Sequence, residues 1–315
     1  MKIGHDIDDL ASREYAPLTY VLDPWLTLPS LSILWAWRGV GKTWVALSIA
    51  HAAATAGEFL GWKAPKAYRV VYIDGELGAR TVVERMFRVD ASAKQSVVGK
   101  NLRVVTYEDA PNKIIWNLAH PAEQSTYTKI VEDADLIVID NIATTVRQAG
   151  RGLQTDVETW ASVQSWAIAR RSEGKSILFI DHAAKAGHQR GTSTKEDVVD
   201  TIISLTRDSE YDPSFGCEFN LRFEKARHFH GESAQSLRVS LRDSHEGTLA
   251  WHWSPLRNHI EAKVVSLLRK KRSIPEILSA VPVTRNRIAE IKAKLKDGEE
   301  EFGGGTGRKD IGDAF

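Results

Sequence analysis

Short apolar runs rich in β-branched residues recur along the first two thirds of the chain, with helix-like stretches between them. The runs are LSILWAW (31–37), RVVYID (69–74), LRVVTY (102–107), DLIVID (135–140) and SILFID (176–181). Helical patterns fill 42–57 (KTWVALSIAHAAATAG) and 156–174 (DVETWASVQSWAIARRSEG). This alternation predicts right-handed βαβ crossovers and a mostly parallel sheet, an α/β fold. The rhythm then changes. Runs at 200–207, 217–227, 236–242 and 249–253 follow with no helix between them, and are expected to extend the sheet in antiparallel fashion. Past Pro255 the pattern becomes helical. Ile260, Val264, Val265, Leu267 and Leu268 mark one helix. Ser273-x-x-Glu276 is a capping box opening a second, which runs to Ala280, and Thr284 is placed to cap a third that buries Ile288, Ile291 and Leu295. No internal repeat is visible.

Four segments follow: an irregular arm (1–20), an α/β core (21–256), a helical segment (257–297) and a glycine-rich tail (298–315) expected to be disordered. Length, 43% hydrophobic and 26% charged residues describe a globular chain with one large core and a small appendage. No apolar run approaches the ~18 residues of a membrane span, and the N-terminus carries acids where a signal peptide has an apolar stretch. The single cysteine, Cys217, has no partner for a bridge within the chain, which fits a reducing cytoplasm. The net charge of +1 hides an asymmetry: residues 257–297 hold eleven Lys/Arg against four Asp/Glu. Basic charge so concentrated suggests a polyanion partner there, or a solvated helical surface.

The chemistry begins at AWRGVGKTW (36–44), between a strand and an alanine-rich helix. That setting makes it a phosphate-binding loop. Backbone N–H groups at the helix start face an anion favoured by the helix dipole. Arg38, Gly39, Val40, Gly41, Lys42, Thr43 and Trp44 form the expected ATP-contacting set. Lys42 would reach the β- and γ-phosphates, and the Thr43 hydroxyl would hold Mg²⁺. Ala36 stands where the usual pattern has glycine, which is tolerable if φ there is negative. Asp140 closes an apolar strand as a Walker B carboxylate, ordering Mg²⁺ through water. Asp74 and Glu76 lie just past the second strand, where ligands of parallel sheets collect. Glu76 is the chosen general base; Asp74 is the alternative base, or a structural acid.

Together these motifs resemble the RecA-like P-loop ATPases, and within them the plasmid-encoded hexameric replicative helicases of the RepA type. The resemblance spans roughly Tyr20 to Trp253 and includes two later signatures. In FIDHAAKAGHQRGTS (179–193) it implies that His182 senses the γ-phosphate. In FEKARHFHGES (223–233) it implies that Lys225 and Arg227 reach a neighbouring subunit's nucleotide, so that a hexameric ring completes each site. Residues two apart on a strand share a face, and two cations on one phosphate stabilise transferring charge; an exposed, solvated strand edge is the other reading. The resemblance further implies ATP hydrolysis driving single-stranded DNA through the ring in replication of a plasmid or other mobile element. An ATP-switched DNA-binding regulator or recombination mediator is the alternative. Ala36, the lack of a large domain ahead of the core, and the basic C-terminal segment depart from the family pattern.

Two polar loops follow the fourth and fifth strands. Arg147 and Arg151 in the first, and Lys185, His188 and Arg190 in the second, are expected to track phosphates of single-stranded DNA without reading sequence, unless these are plain surface loops. The C-terminal segment resembles a helix-turn-helix whose last helix would present Arg285, Arg287 and Lys292 to duplex DNA; a helical packing or oligomerisation unit is the alternative.

Overall fold

The structure, a computed structural model, describes residues 4–15, 17–89, 98–147, 156–183, 195–208, 211–244 and 247–303. By their contacts the residues form two compact units. The first comprises Met1–Gln235 with Val239–His252, the second Ser236–Arg238 with Trp253–Phe315.

A nine-stranded sheet forms the backbone of the fold: β1 (Ser30–Ala36), β2 (Val70–Asp74), β3 (Leu102–Thr106), β4 (Leu136–Asp140), β5 (Ser176–His182), β6 (Thr201–Thr206), β7 (Cys217–Ala226), β8 (Leu237–Asp243) and β9 (Leu249–Pro255). Their order is β9-β8-β7-β6-β1-β5-β4-β2-β3. Every pairing from β6 to β3 is parallel, and β6 with β7 is antiparallel. The sequence expectation was off by one strand here. The run at 200–207 does not open the antiparallel extension but lies parallel beside β1. The stretch from 183 to 200 gives enough chain for the crossover that a parallel neighbour needs.

Burial follows the predicted logic. All seven residues of β1 and all five of β2 and of β4 are buried, as befits parallel strands covered on both faces. Leu31, Ile33, Trp35, Ile137, Ile139, Ile177 and Phe179 share one core with Tyr127, Trp160, Val163 and Trp166. Helix α1 (Lys42–Thr55) is apolar nearly all round; Val45, Leu47, Ile49 and Ala50 are each wholly buried. It lies against the parallel strands but outside that core, on the other face of the sheet. Further helices are α2 (Ala79–Val89), α3 (Pro121–Ile130) and α4 (Asp156–Ser172). Residues 1–20, expected to be an irregular arm, hold a helical turn (Ile7–Ala11) and the start of a strand pair, Thr19–Leu22 with Leu26–Leu28, that lies mostly within the expected core.

Among the described residues the second unit contains three helices: α5 (Leu256–Arg269), α6 (Ile274–Ala280) and α7 (Arg285–Gly303). Ser273 and Glu276 form the expected reciprocal capping box, and the Thr284 hydroxyl accepts the Arg287 N–H at 3.3 Å. Val264, Ile277, Val281, Ile288 and Ile291 form the unit's own core. Among the described residues no helix is long and apolar enough to cross a membrane.

Candidate active site

The C-terminal ends of β1, β2, β4 and β5 converge, as parallel pairing requires: Ala36 pairs with His182, and Asp74 with Asp140. Ala36 ends β1 as ordinary extended strand, so no glycine is needed there. The positive φ values fall later in the loop, on Gly39 (+74°) and Gly41 (+127°). A Cβ on Gly41 would also stand 2.5 Å from Cys217 Sγ. That thiol donates to the Val40 carbonyl at 3.4 Å, and burial pushes its pKa up to about 11. The Val40 side chain is buried. Arg207, at the end of β6, donates to the Gly39 carbonyl and stacks on the Tyr211 ring at 3.8 Å.

A cleft of about 570 Å³ opens over this loop. Its walls include Arg38, Gly39, Gly41, Lys42, Thr43, Trp44, Glu76, Asp140 and His182. Lys42 is 7% exposed. Its Nζ donates to the carbonyls of Ala36 (3.0 Å) and Trp37 (3.2 Å) and lies 3.1 Å from His182 Nδ1. An ammonium only donates, so Nδ1 accepts and the ring proton sits on Nε2. Burial lowers the Lys42 pKa, against the pull of Asp140, Glu76 and Asp181. Burial and the Lys42 charge lower that of His182.

Asp140 is fully buried and accepts from the Tyr72 hydroxyl at 2.6 Å and from the Thr43 hydroxyl. Burial raises its pKa to about 6, although those two bonds oppose the shift. The two acids after β2 have separate places. Asp74 is wholly buried and accepts backbone N–H bonds from Leu77 at 3.0 Å and Gly78 at 2.7 Å, shaping the turn. Glu76 faces the cleft, where Asn141 Nδ2 donates to it at 2.5 Å. The donor set suits a triphosphate with a hard cation: N–H groups and an ammonium for the anion, and a hydroxyl and carboxylates for the metal. Among the described residues no group of three or more His, Cys, Asp or Glu side chains could hold a metal ion by itself; Mg²⁺ takes one or two protein ligands and fills the rest with phosphate and water.

Residues 2–188 match the AAA domain family AAA_25, well over half of the chain. The chain belongs to this AAA domain family. No curated protein matches it. Among solved structures it is similar to the KaiC-like protein PH0186 from Pyrococcus horikoshii OT3, at 13% identity and a TM-score of 0.50, covering 74% of this chain and 93% of that one. It is also similar to the flagellar accessory protein FlaH from Methanocaldococcus jannaschii, at 13% identity and a TM-score of 0.49, over 71% and 89%. The likeness to PH0186 is one of fold. With the family and the phosphate loop, it makes this AAA-domain chain a RecA-like P-loop ATPase.

Other expected site residues of this AAA-domain ATPase fall elsewhere. Lys225 is level with Ile202, and Arg227 stands beside Asp200, toward the end of β6 opposite the phosphate loop. Three strand residues of ~3.3 Å separate the Lys225 level from that of Ala36, and five separate the Arg227 level, roughly 10 Å and roughly 16 Å. Both side chains turn onto one segment, as expected. Lys225 Nζ donates to the Glu196 carbonyl at 2.5 Å, and Arg227 to the Asp197 carbonyl at 2.8 Å and Asp200 Oδ1 at 3.5 Å. Burial and the Arg227 charge lower the Lys225 pKa.

Two of the residues expected to contact DNA have partners within the chain. Arg147 is committed to its own chain, donating to the carbonyls of Thr144 at 2.6 Å and Ile115 at 2.7 Å. Arg287 is not a freely presented cation either; it pairs with Glu261 and with Glu290 inside the helical unit. Arg285 and Lys292 are exposed. Arg151, Lys185, His188 and Arg190 lie outside the described residues.

Sequence reasoning missed Asn141 and Arg85, which both line the cleft. Asn141 follows the Walker B acid directly, a position with a readable signal. Arg85 lies over the Trp44 ring at 5.0 Å, brought there from mid-helix, and nothing local marks it.

The raised Asp140 pKa has a consequence for stability. A carboxyl whose folded-state pKa lies above its usual value stabilises the fold fully only below the ordinary carboxylate range. That contribution is lost as pH rises through about 6. Asp140→Asn removes the buried charge and keeps an acceptor for Tyr72. Without nucleotide or Mg²⁺, the variant is expected to be more stable than wild type at pH 8 by on the order of 2 kcal/mol, and to lose that advantage at pH 4. Urea unfolding at the two pH values measures it; equal stability at pH 8 would refute the charge-burial account.

Proposed function

We propose that the chain is a homo-oligomeric, ATP-driven motor on single-stranded DNA, built as a RepA-like hexameric ring. The observation that carries this reading is the placement of Lys225 and Arg227. A matched pair of cations sits on one segment, at the opposite end of β6 from its own phosphate loop. Cations so placed serve a triphosphate held by the next copy, which makes assembly a condition of hydrolysis.

In this mechanism Lys42 exchanges the Ala36 and Trp37 carbonyls for phosphate oxygens. Glu76, held by Asn141, takes a proton from the attacking water. His182, against Lys42, feels whether the terminal phosphate is present. Thr43, with Asp140 acting through water, would hold Mg²⁺, which would neutralise triphosphate charge. Lys225 and Arg227 of a neighbouring copy stabilise the charge that develops on transfer. The helical unit, with Arg285 and Lys292 exposed, adds electrostatic affinity for the polyanion.

ATP hydrolysis is expected to rise at least several-fold on adding unstructured single-stranded DNA, and a forked duplex is expected to be separated in the presence of ATP. An ATPase rate indifferent to DNA would refute the motor. The three-helix unit, with its capped second helix and short turn into the third, favours one second reading, an ATP-switched DNA-binding regulator. Site-specific duplex binding with no strand separation would select it.

A further inference from the structure

Strand β5 ends in two polar residues that face opposite ways. His182 points to the phosphate loop, where Nδ1 lies 3.1 Å from Lys42 Nζ. Asp181 points to the other side of the sheet, the side of Phe179 and of the Trp160 ring that packs edge-on against it. There the Asp181 carboxylate is hydrogen-bonded through both oxygens. Oδ1 accepts the backbone N–H of His182 at 2.8 Å, and Oδ2 accepts Lys195 Nζ at 2.9 Å. Both side chains are largely withdrawn from solvent, at 4% exposure for Asp181 and 14% for Lys195. The ammonium also lies 5.5 Å from the Trp160 ring centroid. A carboxylate this deep needs its countercharge; losing one partner of a buried pair leaves the other uncompensated.

We propose that Asp181 and Lys195 are positioning residues for His182: the buried pair fixes the backbone that carries the imidazole, and so sets its distance to Lys42 and the terminal phosphate. The inference rests on the reading that His182 faces the triphosphate. It gives a role to a residue pair that the sequence motifs leave without one. The contact chain runs from Lys42 through His182 and Asp181 to Lys195.

The test compares Lys195→Met, Lys195→Arg and Asp181→Asn with the wild-type full chain, measuring ATP affinity and turnover without DNA. A displaced catalytic group costs on the order of tenfold to a hundredfold in rate. Lys195→Met and Asp181→Asn are expected to lower turnover by about tenfold or more while ATP affinity stays within about twofold. Lys195→Arg is expected to restore most of the rate, because it keeps the charge that Asp181 Oδ2 meets. Unchanged turnover with a lowered melting temperature overturns the proposal, since a purely structural pair behaves so. Equal loss of affinity and turnover, or failure of arginine to rescue, overturns it as well. If Lys195→Met does not fold, Asp181→Asn and Lys195→Arg still decide. These measurements contain no DNA, so an absence of DNA stimulation in the wild type sinks the motor reading separately.

Discussion

Lys42→Ala is expected to reduce ATP hydrolysis by at least about 10²–10³-fold, the scale for losing one preorganised charge-stabilising group, and to weaken ATP binding as well. The reason lies in the company the lysine keeps. Lys42 is almost wholly buried, and Asp140, Glu76 and Asp181 all act on it as carboxylates. Removing it deletes the phosphate's cation and leaves those acids uncompensated beside an incoming tri-anion. Lys42→Met separates shape from charge, since it keeps most of the stem. A methionine variant as inactive as the alanine one assigns the loss to the ammonium. The fold is expected to survive, because burial already lowers the lysine's pKa and its removal ends a desolvation cost. Nucleotide titration, steady-state hydrolysis and thermal melting measure the three effects. An alanine variant within a few-fold of wild type would show that the cleft is not the hydrolytic site.

How much of this was legible in the residues depends on how local the signal is. The phosphate loop, Asp140 and the capping box at Ser273 are each written in a few consecutive positions, and each folds as read. The Ala36 departure resolved itself through register. It is the last residue of β1, paired with His182, and the strained backbone lies at Gly39 and Gly41. Asp74 and Glu76 are two residues apart and equal as acids in the sequence. Only the turn separates them, because its N–H groups fold back onto Asp74 and leave Glu76 to the cleft.

Long-range geometry was not legible. Whether the strand at 201–206 runs with β1 or against it depends on the path of the preceding connection, which no local pattern encodes. Arg147 and Arg287 looked like free cations because composition reports charge and not partners; the carbonyl of Ile115 and the carboxylate of Glu261 come from elsewhere in the fold. Arg85 and Arg207 join the site by tertiary approach.

Arg227→Ala is expected to lower hydrolysis by about 10³–10⁵-fold, the usual worth of an arginine supplied to phosphoryl transfer, with ATP affinity far less affected. The decisive form of the experiment is a mixture. Arg227→Ala keeps its phosphate loop, and Lys42→Ala keeps its cation pair. Each alone is inactive. If cradle and cation act on one triphosphate from adjacent copies, a co-assembled mixture contains junctions where an intact Lys42 meets an intact Arg227. Random one-to-one assortment makes about a quarter of all junctions competent, and activity returns to that order. If the site is complete within a chain, no mixture restores anything. The within-chain contacts of Arg227, to the Asp197 carbonyl and Asp200, raise the competing account of a structural residue. That account predicts an unstable Arg227→Ala protein, restored by no amount of partner with an intact cation. Lys225→Ala provides the graded control: the Lys225 charge is already disfavoured by burial and by its neighbour Arg227, so its loss is expected to cost less. A mixture that stays dead while both variants assemble would remove the shared-site motor and leave a RecA-like ATPase acting chain by chain.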